Sequence, residues 1–392
     1  MTAMTLDALL APYGEKVFLE EVMGESALHV GGSPGRFREV LSWSVLNHLL
    51  AFGGLGFPRL RLISGGQEVP PKVYLRTGIN GYPRPIVQEV NSALRDGAVV
   101  AIESVEELHE PISLLCRAFE QALDIPVSAD LNASVTGGAY SGLRRNESDL
   151  IVLQIDGSKA WRVYSPAHSL QPEPTASPAW EGVLSAGDLL YVPKGWWYHD
   201  QPLEPTLDLG IIFRNPTGLD VLQRLTNQMI RSDEMRRDCP RFGDPDRQSA
   251  FLQFFQTEVP KACARPGLLL NCLREIREGA EPRIHFSLPF SASALPPSED
   301  LLVLPLLRFP RPDSPSHVLD EDAVELFLNG KPVRFREDAA TVLQVLCAGS
   351  PVSVQTLLRA CPDDIPRTRM LQSLSELVKH GVVTLEGPSR SE

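Results

Sequence analysis

Residues 149–161 read Asp149-Leu-Ile-Val-Leu-Gln-Ile-Asp-Gly-Ser-Lys-Ala-Trp161, and residues 187–197 read Gly187-Asp-Leu-Leu-Tyr-Val-Pro-Lys-Gly-Trp-Trp197. In the first stretch, Leu150–Ile155 is a mostly apolar run that ends at Asp156-Gly157, a strong turn signal. Ala160–Tyr164 follows, with Trp161 and Val163 alternating. This is the pattern of two strands joined by a tight turn. In the second stretch, Leu189–Val192 runs into the turn Pro193-Lys194-Gly195, then the aromatics Trp196-Trp197-Tyr198, and Leu207–Phe213 reads as another strand. Short strands spaced this regularly over residues 131–215 predict a small barrel or sandwich.

On the N-terminal side, residues 1–130 read as mixed α/β. Leu41–Leu50 and Pro111–Leu123 have helical patterns, and Arg59–Leu62 and Lys72–Leu75 look like short strands between Gly and Pro. On the C-terminal side the pattern turns helical over 217–280. Leu219, Leu222, Leu225 and Met229 fall on one face; Phe251, Phe254, Phe255 and Val259 form a second stripe; Leu269, Cys272, Leu273 and Ile276 form a third. Such stripes serve either a helical core or an oligomer interface. Residues 287–318 are rich in Pro and Ser around Leu301–Phe309 and read as a linker with one strand.

The last 75 or so residues form a further unit. Val324–Leu328 precedes the hairpin signal Asn329-Gly330, and three short helical patterns follow at Ala339–Cys347, Ser353–Cys361 and Pro366–His380. The third opens on a Pro at a first helical position and stops at Gly381, before the strand Val382–Leu385. Strand, three helices and strand make a winged-helix pattern. Residues 320–392 carry eight Lys/Arg against eleven Asp/Glu, with only Arg367, Arg369 and Lys379 on the third helix. Duplex binding needs a concentrated basic face, so this unit is expected to pack or contact protein, not nucleic acid.

The whole composition agrees. With 37 Lys+Arg against 49 Asp+Glu, the chain is net −12 and has no overall attraction for phosphate backbones or anionic membranes. No apolar stretch approaches the ~18 residues that span a bilayer. The N-terminus lacks a basic flank followed by an apolar run, so no signal peptide is expected and the expected location is cytoplasmic. Six scattered cysteines form no C-x-x-C pair, which argues against a zinc knuckle or a dithiol site. The 34 Pro and 29 Gly favour many short elements joined by turns.

The two quoted stretches resemble the signature stretches of JmjC-type cupins, and the order of segments resembles the ribosomal oxygenase branch of that superfamily. The resemblance implies an α+β fold: a double-stranded β-helix (jelly roll) barrel, a helical dimerisation segment and a C-terminal winged helix. The boundaries it implies are 1–215, 216–285 and 286–392. It also implies a homodimer. Members of that branch are Fe(II)- and 2-oxoglutarate-dependent hydroxylases of protein side chains, whose iron sits in a 2-His-1-carboxylate triad. Counted back from Asp149 and Gln154, the H-x-D pair falls on Arg144 and Asn146; counted from Pro193, the remaining His falls on Tyr198. All three expected ligands are replaced. Arg offers only donors and cannot coordinate a cation. The resemblance further matches Lys159 to the lysine that binds the distal carboxylate of 2-oxoglutarate.

Two readings follow. In one, the barrel has lost iron and needs no cofactor; it acts on, or binds, a peptide, a protein or a small carboxylate, with Arg144, Asn146, Tyr198 and His199 as candidate site residues and Lys159 as a candidate co-substrate contact. Arg144 and Lys159 would then give the pocket two fixed cations, suited to an anion. In the other, the chain is a working Fe(II)/2-oxoglutarate hydroxylase with an atypical ligand set. A one-residue bulge would bring His199 inward beside Glu147, Asp149 or Asp208. Other constellations are bland. His199-Asp200 is an adjacent pair whose members face opposite sides of a strand. Gly137-Gly138 with Gly142 lacks the context of a phosphate loop. His285 reads as a packed histidine in an extended connector.

Overall fold

The computed structural model describes residues 4–137, 142–166, 177–230, 235–242, 244–278, 283, 286–288, 299, 301–305, 319–320, 323–328, 331–346, 352–360 and 365–386. It divides into two compact units, 1–215 and 216–392.

The first unit is built on antiparallel strands. In chain order they are β1 (Leu28–Val30), β2 (Leu60–Ser64), β3 (Gln67–Glu68), β4 (Leu75–Thr77), β5 (Pro83–Pro85), β6 (Val99–Ile102) and β7 (Val127–Ser134). There follow β8 (Arg144–Arg145), β9 (Asp149–Asp156), β10 (Ser158–Tyr164), β11 (Trp180–Ser185), β12 (Leu189–Val192), β13 (Trp197–Pro202) and β14 (Thr206–Phe213). Eight form one sheet in the order β1-β12-β9-β14-β7-β6-β2-β3, and four form another in the order β11-β10-β13-β8. The N-terminal region therefore adds β1 at one edge of the large sheet and β6, β2 and β3 at the other.

Strand β9 shows why its sequence is nearly all apolar. Ile151, Leu153 and Ile155 enter one core with Phe18, Leu115 and Phe119. Leu150 and Val152 enter a second core with Trp161, Val163, Leu190, Val192 and Tyr198. A strand buried on both faces has no reason to alternate. The turn after it needs its glycine. Gly157 has φ +68°, and a Cβ there would lie 2.0 Å from the carbonyl oxygen of Pro205. The helix Trp43–Phe52 is capped by the Ser42 hydroxyl, and the helix Glu110–Leu123 ends at Asp124 in the left-handed region. One expected strand is different: Pro71–Tyr74 is a single helical turn opened by Pro71, and the extended residues are Leu75–Thr77. Proline's fixed φ favours that helical start, and the turn buries Tyr74, whose hydroxyl donates to Leu60 O at 2.9 Å.

In the second unit the helices are Gly218–Met229, Pro245–Cys263 and Leu268–Glu278. Thr217 and Asp220 close a capping box on the first, and Gln228 donates to Glu275 of the third at 3.0 Å. Phe251, Phe254 and Phe255 pack edge to face on one another. The first stripe divides: Leu225 is 2 % exposed, whereas Leu219 is 69 % and Leu222 51 % exposed. Further on, Leu302–Pro305 is the strand expected around Leu301–Phe309, and it is the middle strand of a sheet with Val352–Ser353 and Val383–Glu386. The helices Glu337–Leu346, Val354–Arg359 and Arg367–Lys379 share a core with it through Val303, Val342, Leu357, Leu374 and Leu377. Pro366 caps the last of these helices instead of starting it. Ala323–Leu328 pairs with Lys331–Arg336 as a hairpin. Asn329, Gly330, His285, Cys347 and Cys361 lie outside the described residues.

Candidate functional site

The site is the inner face of the barrel, and strand parity decides what enters it. Lys159, Trp161 and Val163 share one face of β10; Tyr198 and Asp200 share one face of β13. The ladders set Trp161 opposite Asp200, Val163 opposite Tyr198, and Tyr198 opposite Arg144 of β8. On the large sheet, a register shift between Leu207 and Asp208 places Asp208 opposite Gln154 on one side and Asn132 on the other.

These residues make one continuous chain of charge. Lys159 Nζ donates to Asp200 Oδ2 at 3.1 Å and to Asp208 Oδ2 at 2.5 Å. The Arg144 guanidinium donates to Asp200 Oδ1, and Asn132 Nδ2 donates to Asp208 Oδ1 at 3.2 Å. Both oxygens of each carboxylate are thus engaged. Lys159 is 3 % exposed, and Asp200 and Asp208 are equally buried. Burial alone would lower the lysine's pKa, but the Asp208 and Asp200 carboxylates outweigh it and hold the ammonium above its ordinary value. The same contest, burial against Asp200, leaves Arg144 raised.

An aromatic wall lies against this chain. Trp161 stacks on Tyr198 with ring centroids 5.5 Å apart, and the Arg144 guanidinium sits 5.1 Å from the Tyr198 ring centre. The Tyr198 hydroxyl donates to Asn146 Oδ1 at 3.0 Å. Burial, with Asp200, pushes this phenol upward against the opposing pull of Arg144, Asn146 and Lys159, so it stays a neutral donor.

Arg144, Asn146, Tyr198 and Lys159 are therefore brought together, as the sequence suggests. His199 does not join them. The ladder between β10 and β13 runs without a break from Lys159–Pro202 to Tyr164–Trp197, so no bulge turns His199 inward; it lies opposite Arg162, on the other face from Asp200. Burial and then Arg162 lower its imidazole pKa. Asp149 is occupied elsewhere, accepting from the Tyr191 hydroxyl at 2.6 Å and from Lys194 N at 3.1 Å. Glu147 is exposed. Among the described residues, no group of three His, Cys, Asp or Glu side chains could hold a metal ion. The expected pair of uncompensated cations is also corrected: both point into the barrel, but two aspartates match them. Sequence reading set Asp200 aside with His199, weighed Asp208 only as a metal ligand beside His199, and missed Asn132; it did not foresee the two aspartates as ion-pair partners of Lys159 and Arg144. The available signal was a carboxylate within each of two strands otherwise facing a core, which requires a buried partner.

Residues 109–221 match the family model for the JmjC domain. A bifunctional lysine-specific demethylase and histidyl-hydroxylase NO66 of Drosophila mojavensis is 23% identical over 212 residues, covering 51% of this chain and 23% of that protein. The ribosomal protein uL16 3-hydroxylase of Escherichia coli (strain K12) is 24% identical over 141 residues, covering 34% of this chain and 38% of that protein. The chain thus spans well under half the length of these curated relatives. Among solved structures, YcfD, a ribosomal oxygenase from Escherichia coli, superposes with a TM-score of 0.59 at 18% identity over 95% of this chain and 98% of that one. It has also been solved in complex with cobalt and 2-oxoglutarate. That likeness shows the JmjC cupin fold.

Proposed function

We propose, for a chain with a JmjC domain at 109–221 and a fold like that of a ribosomal oxygenase, that the barrel works without iron and serves to bind a peptide or protein segment. One observation carries this reading. At the first position that the resemblance gives to an iron ligand stands Arg144, whose guanidinium is ion-paired with the buried Asp200. A guanidinium has no lone pair to give a metal. Asn146 and Tyr198, at the other two positions, are hydrogen-bonded to each other. Fe(II) does not fit this donor set. The 2-oxoglutarate contact expected of Lys159 does not fit either, since its ammonium lies between two carboxylates.

A peptide or protein ligand is favoured because the relatives named above are by name a histidyl-hydroxylase and a ribosomal protein hydroxylase, and the Arg144 guanidinium, partly exposed beside Tyr198, keeps further N–H donors for a backbone. We assign 1–215 to the barrel, 216–285 to dimerisation and 286–392 to a winged helix that packs or contacts protein. The exposed Leu219 and Leu222 support the dimer. No described helix is long and apolar enough to cross a membrane. The test is metal analysis of protein produced with iron supplied, together with a 2-oxoglutarate turnover assay. Substoichiometric iron and no turnover are expected; stoichiometric iron with turnover would restore the hydroxylase reading.

A further inference from the structure

The barrel holds two cations and two carboxylates in an order that leaves no charge unanswered. Asp200 reaches from β13 to bridge Arg144 and Lys159, one oxygen to each. Asp208 reaches from β14 and takes Lys159 with one oxygen and Asn132 with the other. Each aspartate is engaged as a bound carboxylate ligand would be: both oxygens met by fixed donors, away from water, with charge-assisted bonds. An incoming carboxylate would find Lys159 occupied and would bring an uncompensated negative charge into a site that is already neutral.

We infer that Asp200 and Asp208 are specificity-determining residues that hold the place of a small carboxylate inside the barrel, so that the site refuses 2-oxoglutarate and similar acids while keeping a latent carboxylate-binding pocket beneath Asp200. The inference rests on the metal-free reading above and adds to it what the barrel excludes and why. Asp200 is the key residue because it alone joins the two cations. Removing its carboxymethyl arm leaves Arg144 and Lys159 facing a space of carboxylate shape, with Asp208 still balancing one of them. The pocket then carries one net positive charge and takes an acetate-sized anion.

The test is a binding and rescue experiment on the full chain, in EDTA throughout. Wild type is titrated by calorimetry with 2-oxoglutarate, succinate and acetate, and no saturable heat is expected. Asp200→Gly is melted in acetate and in chloride at equal ionic strength. Acetate should raise its melting temperature saturably, by about 5–10 °C at a hundredfold excess over its dissociation constant, and chloride should not. Wild type should show no difference between the two salts. Saturable carboxylate binding by wild type overturns the inference, and so does an Asp200→Gly response that is equal in the two salts. Should Asp200→Gly fail to fold without anion, recovery of folded protein in acetate but not chloride supports it. Failure in both salts passes the decision to Asp208→Gly, whose selective response to acetate supports the inference and whose equal response overturns it. The two readings fail separately. Iron-dependent turnover ends the metal-free reading, whereas carboxylate binding by wild type in EDTA ends this inference alone.

Discussion

Lys159→Met is the sharpest probe of the barrel. It keeps the length and apolar stem of the side chain and deletes only the ammonium between Asp200 and Asp208. Asp200 keeps its bond from Arg144, and Asp208 keeps the weaker one from Asn132. Two carboxylates at most 5 % exposed are left with one cation between them. Breaking a buried pair by removing one partner costs about 3–5 kcal/mol, because the survivor's desolvation is no longer compensated. Asp208 carries most of that here, and Arg144 limits the loss at Asp200, so the lower half of the range, about 3–4 kcal/mol, is expected. The assay is urea unfolding followed by tryptophan fluorescence, with Trp161 stacked on Tyr198 as a reporter of the inner face. A loss below about 1 kcal/mol at pH 7 would refute the reasoning, because exposed ion pairs contribute that little.

The pH dependence of wild type has a definite sign: Lys159 has a raised folded pKa, so its stabilisation is complete below the unfolded lysine value, about 10.4, and is lost as pH rises through the folded one. Denaturation above about pH 10 should therefore narrow the gap between wild type and Lys159→Met, and a constant gap would contradict it. His199→Ala, on the outer face of β13, should change stability by no more than about 0.5 kcal/mol in thermal unfolding; a loss above 2 kcal/mol would place His199 in the site after all. Arg144→His with Asn146→Asp should take up no stoichiometric iron until Tyr198→His is added, as metal analysis of the double and triple variants will tell. Light scattering of wild type should give twice the 43.1 kDa chain mass, and Leu219→Glu with Leu222→Glu should return it to the monomer; a wild-type monomer at micromolar concentration would remove the dimer.

The barrel was legible because its signals are local. Asp156-Gly157 joins two apolar runs, and Pro193-Lys194-Gly195 precedes an aromatic pair; each is a turn that only one chain geometry satisfies. The inward set Arg144, Lys159 and Tyr198 followed from parity and resemblance together. The aspartates did not, for two physical reasons. Asp200 sits beside His199, and the adjacent pair draws attention although its members face apart. Asp208 faces inward by the plain alternation of β14, whose Leu207, Leu209, Ile211 and Phe213 fill the other core; a lone carboxylate in an apolar run does not announce which cation meets it. The strand at Leu302–Pro305 was expected, but its place in the C-terminal sheet was not: its partners, Val352–Ser353 and Val383–Glu386, lie far along the chain, and pairing at that distance leaves no local pattern.

Gly157 carries a consequence larger than its turn. Its bare Cα lets two turns press together: Leu203 N donates to Ser158 O at 3.0 Å, Ser158 Oγ donates to Glu204 at 2.7 Å, and Pro205 O sits where a Cβ would be. Lys159 lies two residues beyond one turn, and Asp208 three residues beyond the contact on the other. The clasp therefore acts as a calliper whose closed width fixes how near ammonium and carboxylate come. Substitution of Gly157 by alanine, outwardly a strained-loop change, would work as an electrostatic one: it would spread the jaws and loosen the Lys159–Asp208 contact from a distance, without altering either charged residue.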